Sequence, residues 1–175
     1  MDNPSAKIMV AVFDRTVCVQ ISGRADFTSS LDLKKLITEL WEHGYSHFIL
    51  DLCDCRMMDS TFVGVLSGIS LQLADRKEDP TPLELINPSA RVTESLENLG
   101  VIHLFKIGAA TAPLTDKYEP LAKNGEAPSH AEVARTCLQA HQTLMDLKPE
   151  NVQKFKDVAK FLAEDLKRLE IGQKK

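Results

Sequence analysis

The fold of this chain is decided by residues 49–66, which read ILDLCDCRMMDSTFVGVL. The run from Phe48 to Leu52 is apolar apart from Asp51 and predicts an interior β-strand. From Val63 onward, apolar residues recur at helical spacing, so a short acidic loop and then a helix follow the strand. Ser60 lies where this helix starts, and its hydroxyl can cap free backbone N–H groups there. A small hydroxyl beside an acid at the positive end of a helix also suits a charge switch.

Length and composition limit the class of protein. The 175 residues allow one core domain plus an extension, and 43% apolar residues are enough for a packed core. A net charge of −4 argues against binding nucleic acid through its phosphates. No apolar run approaches the ~20 residues of a membrane helix, and the polar N-terminus lacks a signal-peptide core. We therefore expect a cytoplasmic protein with no membrane or nucleic-acid partner.

The four cysteines do not predict a metal site or disulfide framework. Cys53 and Cys55 lack the second pair that a four-ligand zinc site requires, so reduced thiols are the better interpretation. We expect no cofactor.

The order of the predicted elements indicates an α/β fold. A hairpin of two strands comes first, and then helices and strands alternate, so a mixed β-sheet with helices packed on it is predicted. Thr28, Ser29 or Ser30 is expected to cap the first helix. The predicted elements are strands 8–13, 17–21, 45–52, 83–86 and 102–107, and helices ending at His43, Lys77 and Leu99.

The composition changes after Gly108, and the rest of the chain predicts a C-terminal two-helix extension. Prolines make residues 111–129 a linker, and residues 130–175 form a helical hairpin in this interpretation. The last helix carries apolar residues at alternating spacings of three and four, a heptad pattern. This seam either packs in an antiparallel hairpin, which we favour, or forms a homodimer or partner surface.

Three ordered motifs resemble a known family. Met58-Asp59-Ser60-Thr61, followed by Gly64-Val65-Leu66, resembles the signature of STAS domains, the anti-sigma factor antagonist family. Gly23-Arg24-Ala25-Asp26 resembles the family's Gly-x-Leu-Asp turn, and residues 87–107 resemble its last helix and strand. The resemblance covers Lys7 to Ile107 and implies a STAS-like domain over residues 1–110.

The resemblance implies a set of site residues. The phosphorylated residue of the family corresponds to Ser60, with Thr61 as the alternate acceptor. Asp26 and Asp59 correspond to positions that line the phosphorylation surface, although each can also be an ordinary loop or cap residue. Phe62 stands where the family usually has glycine, so it is either a core residue or a hydrophobic contact for a partner.

The implied function is regulation by protein binding, without catalysis. The unphosphorylated protein would bind a serine kinase of the anti-sigma type, which would phosphorylate Ser60 with ATP, and a metal-dependent serine phosphatase would reverse this.

Two alternatives stay open at the level of sequence. One is a STAS subunit of a scaffold or transport complex in which Ser60 is only a cap. The other is a small metal-dependent enzyme that uses Asp51, Asp54 and Asp59.

Overall fold

The computed structural model describes residues 4–110, 114–123 and 125–174. Residues 1–3 of the predicted STAS-like domain, residues 111–113 and 124 of the predicted linker, and residue 175 of the predicted hairpin lie outside this range. The strands are β1 (Lys7–Phe13), β2 (Thr16–Ala25), β3 (His47–Asp51), β4 (Cys55–Met58), β5 (Glu84–Ile86), β6 (Lys106–Gly108) and β7 (Glu119–Pro120). The α-helices are α1 (Phe27–Glu42), α2 (Ser60–Ala74), α3 (Ala90–Asn98), α4 (His130–Leu147) and α5 (Glu150–Gln173), and Ile102–Leu104 form a 3-10 helix.

The predicted mixed sheet with helices and a C-terminal two-helix extension is confirmed. The main path of the sheet runs β6-β5-β3-β2-β1-β7, and β4 pairs with β2 off this path. The pairs β2–β3, β3–β5 and β5–β6 are parallel, whereas β1 is antiparallel to both β2 and β7. Parallel pairing of β2 and β3 is what the strand–helix–strand spacing predicts.

One core lies between the helices and one face of the sheet. Strand β2 contributes alternate residues, Val17, Val19 and Ile21, each with no exposed surface. This alternation follows from the twofold period of a strand. Leu33 of α1 and Phe62 of α2 join the same buried cluster. The cluster fixes the helices over the sheet and thereby sets where the start of α2 lies.

The stretch that the sequence assigns to an acidic loop contains a strand. Residues 55–58 form β4 and pair in parallel with the end of β2, beyond an irregularity in register at Gly23 and Arg24. Strand β2 therefore extends beyond the predicted residues 17–21 to Ala25, because Gly23 adopts a φ of +90° and lets the strand continue past a bulge. Pairing of β2 with β4 brings the beginning of α1 next to that of α2.

The last predicted strand also differs from expectation, and the cap of α1 is the less emphasised of two alternatives. Asp26 caps α1, as its interpretation as a cap residue allows, rather than one of the three hydroxyls that follow it. Of the predicted last strand, residues 102–104 form the 3-10 helix, and only Lys106–Gly108 pair with β5.

The C-terminal hairpin packs on the domain through α4, which lies against α2. Ala140 and Leu144 of α4 are buried in the main core, and Phe155 of α5 packs at its margin. Asn151 is fully buried where the hairpin turns and donates to the carbonyl oxygens of Leu99 and Leu144, at 2.9 and 2.8 Å. Within the described ranges, no helix is both long enough and apolar enough to span a bilayer.

Candidate functional site

The N-termini of α1 and α2 lie side by side, and Asp59 joins them. One carboxylate oxygen accepts from the backbone N–H of Phe62 at 2.8 Å, which makes Asp59 the N-cap of α2. The other oxygen accepts from the backbone N–H of Phe27, the first residue of α1, at 2.9 Å. Asp59, and not Ser60 as the sequence suggested, therefore satisfies the free donors at the start of α2.

Asp26 caps α1 close to this point. Its carboxylate accepts from the Ser29 backbone N–H at 3.1 Å and from the Ser5 hydroxyl at 2.7 Å. The Ser29 hydroxyl in turn accepts from the backbone N–H of Asp26, which completes a capping box. Two carboxylates thus lie at the positive ends of two helices, where negative charge is favoured.

The two carboxyl groups have opposite pKa shifts. Burial is the largest influence on Asp59 and raises its pKa; the nearby Asp26 adds to this, while hydrogen bonds from Phe62 and Phe27 oppose it. Burial also acts to raise the pKa of Asp26, but hydrogen bonds from Ser29 and Ser5 and the charge of Arg24 outweigh it and lower that pKa. Arg24 therefore supplies a countercharge, a role that the sequence analysis did not give it.

Ser60 is the first residue of α2 and is half-buried. Its Oγ lies 2.9 Å from Nε2 of His141, a residue of α4. The Nδ1 of His141 lies 2.7 Å from the carbonyl oxygen of Cys137, which can only accept, so Nδ1 carries a proton. In the neutral imidazole, Nε2 then holds the lone pair, and the Ser60 hydroxyl donates to it.

Sequence reasoning missed the contact with His141. Although the helical pattern places His141 on the apolar face of α4, 81 residues separate it from Ser60. Nothing local in the sequence pairs the two. The one available signal is a histidine among the apolar residues of that face, because a buried imidazole needs a polar partner.

The structure does not expose two of the predicted site residues. Thr61 is buried, and it lies near Cys137 on α4, where burial raises the pKa of the thiol and the Thr61 side chain opposes that shift. Phe62 has no exposed surface and belongs to the main core. This position corresponds to the core alternative for Phe62, since burial leaves no ring surface to contact in this conformation, and a partner contact at Phe62 stays a prediction. Phe27, which is 45% exposed, is the aromatic residue at the surface beside Asp59.

The acidic residues proposed for an enzyme do not assemble. Asp51 is buried and accepts a hydrogen bond from the backbone N–H of Cys53 at 3.1 Å. Asp54 is exposed. Both carboxylate oxygens of Asp59 accept hydrogen bonds from the N-termini of α1 and α2. The described residues include no group of three or more histidine, cysteine, aspartate or glutamate side chains placed to hold a metal ion. The acidic-site alternative thus lacks the ligand cluster that it requires.

Comparisons with known proteins agree with this architecture. The sequence model of the STAS domain matches residues 7–112. A Thermotoga maritima protein assigned as an anti-sigma factor antagonist superposes with a TM-score of 0.52 at 19% identity, covering 58% of this chain and 86% of its own. The anti-sigma factor antagonist SpoIIAA in its unphosphorylated form superposes with a TM-score of 0.50 at 20% identity, covering 57% of this chain and 86% of its own.

At these identities the structural likeness establishes the fold and no more. A comparison with curated protein sequences finds no match to this chain. The STAS match, in contrast, spans more than half of the sequence and includes both aspartates and Ser60. The protein therefore belongs to the STAS domain family.

Proposed function

We propose that this protein is a regulatory protein-binding module, similar to anti-sigma factor antagonists, that is switched by phosphorylation of Ser60. The observation that carries the proposal is the position of the Ser60 hydroxyl. It lies at the first turn of α2, half-buried, beside the N-terminus of α1 and next to Asp59 in a STAS domain. The partner in this proposal is a serine kinase of the anti-sigma type, and a metal-dependent serine phosphatase reverses the modification.

The charges around Ser60 support a binding switch. Phosphorylation adds roughly −1.5 to −2 charges at neutral pH. Those charges would lie beside the carboxylates of Asp59 and Asp26, which already occupy the positive ends of α1 and α2. A partner surface that fits the neutral hydroxyl would then face an uncompensated anion, which costs binding free energy.

The surface proposed for the partner centres on Ser60, Asp26 and the exposed ring of Phe27. Phe27 takes the hydrophobic role that the sequence offered to Phe62. An exposed aromatic ring beside charged groups is typical of the residues that dominate binding at protein interfaces. The proposal makes the chain a substrate of its kinase with no catalytic role of its own, and places it in the cytoplasm, where that kinase and ATP are present.

The test uses each serine kinase of the anti-sigma type encoded by the source organism. The purified kinase is incubated with the full-length protein and MgATP, and the modified residue is mapped by mass spectrometry. We expect one phosphate, on Ser60, and none on the Ser60→Ala variant. Modification elsewhere, or none with any kinase, would contradict the proposal.

A second candidate is a STAS subunit that is not switched, in a scaffold or transport complex. It is favoured by the hydrogen bond between Ser60 and His141, because this bond already gives the hydroxyl a structural role. The two candidates differ in calorimetry with the identified partner. The switch requires Ser60→Asp to weaken binding about tenfold or more relative to Ser60→Ala, whereas equal affinities would favour the second candidate.

A homodimer through the C-terminal helices is also part of the proposal. Helix α5 contacts α4, and Ala159 of its heptad seam is buried, whereas Val152 of the same seam is 42% exposed. A dimer would therefore use exposed apolar side chains of α5, such as Val152 and Phe161, the latter at 58% exposure. Sedimentation of the full chain and of Phe161→Lys tests this. A dimer that persists in the variant would exclude this face.

A further inference from the structure

Helix α4 covers the start of α2. His141 contacts Ser60, Cys137 lies over Thr61, and one turn further along α2 the backbone of Ala140 packs directly on Gly64. A Cβ atom on Gly64 would come within 2.7 Å of the carbonyl carbon of Ala140, closer than real Cβ atoms approach other atoms. The C-terminal hairpin is thus closed on the surface that carries the proposed modification site.

His141 cannot move aside while the hairpin stays in place. Its Nδ1 is held by the carbonyl of Cys137, its ring packs 5.0 Å from the ring of Phe155, and only 6% of the residue is exposed. The imidazole is therefore fixed by its own helix and by α5. With Nε2 at 2.9 Å from Oγ, it occupies the space along the O–H bond that a phosphoryl group replacing the hydroxyl proton would need in this rotamer of Ser60.

The side of α4 that faces α1 is less tightly packed than the contact with the start of α2. Two open grooves flank it, of about 360 Å³ between α1, α2 and α4 and about 490 Å³ between α1 and α4. Polar side chains such as Lys34, Thr136 and Gln139 line both grooves, and an exposed hydrogen bond of 3.3 Å joins Lys34 to Gln139. In contrast, buried Asn151 anchors the turn of the hairpin. The hairpin can therefore open by swinging about this anchored turn, which withdraws Ala140 from the core and from Gly64 but breaks few contacts on the side of α4 that faces α1.

We propose that the C-terminal hairpin, residues 130–173, is an internal cover of the Ser60 surface that must open before a kinase can reach the hydroxyl and that cannot close over phosphorylated Ser60. The inference rests on the proposed function of Ser60 as phosphoacceptor. Closure of the hairpin and phosphate on Ser60 oppose each other. Because the closed hairpin disfavours phosphate on Ser60, phosphate on Ser60 disfavours the closed hairpin by the same free energy. Because only open molecules can be phosphorylated, the rate of phosphorylation is proportional to the fraction of molecules that are open. Once Ser60 carries a phosphate, the hairpin stays open.

The first experiment needs no kinase. Hydrogen exchange of the full-length protein is followed by mass spectrometry for wild type, Ser60→Asp, Ser60→Ala and a form with genetically encoded phosphoserine at position 60. We expect amides of residues 130–147 to exchange at least about tenfold faster in the Asp and phosphoserine forms, while β2 and β3 stay protected. The Ala variant, which removes the hydroxyl without adding bulk or charge, should exchange within about twofold of wild type.

Unchanged or increased protection of residues 130–147 in the phosphoserine form would overturn the inference, since His141 would then accommodate the phosphate with the hairpin closed. This result would leave Ser60 phosphorylation itself untouched.

The second experiment covers the case in which charge at position 60 unfolds the whole domain. Phosphorylation rates are compared for wild type, His141→Ala and the exposed-residue control His103→Ala. We expect His141→Ala to be phosphorylated at least about tenfold faster, because removing the imidazole uncovers Oγ, and His103→Ala to match wild type. Equal rates for wild type and His141→Ala would overturn the proposal that the hairpin covers Ser60. No phosphorylation of any variant would instead contradict the proposed function, and the exchange experiment alone would then decide the inference.

Discussion

At the scale of single residues, the Asp59 carboxylate holds two helices together. It accepts one hydrogen bond from the first turn of α2 and one from the first residue of α1. We predict that Asp59→Ala lowers the free energy of unfolding by about 1–2 kcal/mol, as for the loss of a good N-cap. Urea denaturation measures this change. The control Asp54→Ala removes an exposed carboxylate from the same segment and should change stability by less than about 0.5 kcal/mol. Equal effects of the two substitutions would show that the hydrogen bonds of Asp59 to α1 and α2 contribute nothing to stability.

Cys53 should be an exposed but unreactive thiol. Although the residue as a whole is exposed, partial desolvation of its sulfur, followed by the negative charges of Asp51 and Asp54, raises its pKa from 9.0 to about 11. Because only the thiolate is nucleophilic, alkylation by iodoacetamide near pH 8 should be about a hundredfold slower than for an unperturbed thiol. Mass spectrometry follows the labelling of Cys53 as a function of pH, and the rate should rise until about pH 11. Asp54→Asn should speed labelling at pH 8. A rate like that of free cysteine would contradict this assignment.

At the scale of elements, the crossing of α2 and α4 depends on one glycine. Gly64 meets the backbone of Ala140, whereas a methyl group at Gly68, one turn later in the same helix, would meet none of the described neighbouring residues within 4 Å. We predict that Gly64→Ala destabilises the protein by about 1–3 kcal/mol through overpacking. Gly68→Ala should stabilise it by about 0.5–1 kcal/mol, because alanine favours the helix. Thermal unfolding of the two variants provides a matched test. A stabilising Gly64→Ala would mean that α4 does not lie this close in solution.

The turn of the hairpin is held by the buried amide of Asn151. Its Nδ2 bonds to carbonyls at the end of α3 and in the last turn of α4. We predict that Asn151→Ala costs about 1–3 kcal/mol, because two buried carbonyl oxygens lose a donor. Chemical denaturation measures this cost. The exposed Gln153 of the same helix is the control, and Gln153→Ala should be nearly neutral. A neutral Asn151→Ala would show that the hairpin is anchored elsewhere.

At the scale of the whole molecule, local patterns in the sequence predict most elements. Helical spacing from Val63 onward and the alternation around Val17 and Val19 give α2 and β2, because periodicity reflects which side faces the core. Strand β4 escapes prediction because it is short and pairs only with the end of β2 beyond a bulge. The sequence leaves the cap of α1 open between Asp26 and the three hydroxyls that follow, because all are competent caps and tertiary packing chooses among them.

The site likewise contains residues that the sequence predicts and residues that only the tertiary structure brings in. Asp26, Asp59 and Ser60 are brought together as the family motif implies, since each lies at or beside a helix start that follows a strand. His141 of α4 lies beside Ser60 because the C-terminal hairpin packs on the domain, and no local sequence pattern predicts this packing. Burial of Phe62 and exposure of Phe27 depend on the same tertiary arrangement.

The most direct test of Ser60 as a charge switch is the affinity of the full-length protein for its serine kinase with and without phosphoserine at position 60. Calorimetry with a nonhydrolysable ATP analogue measures both dissociation constants without turnover. We predict that phosphoserine weakens binding at least about tenfold, which corresponds to about 1.4 kcal/mol. Equal dissociation constants for the two forms would contradict the switch.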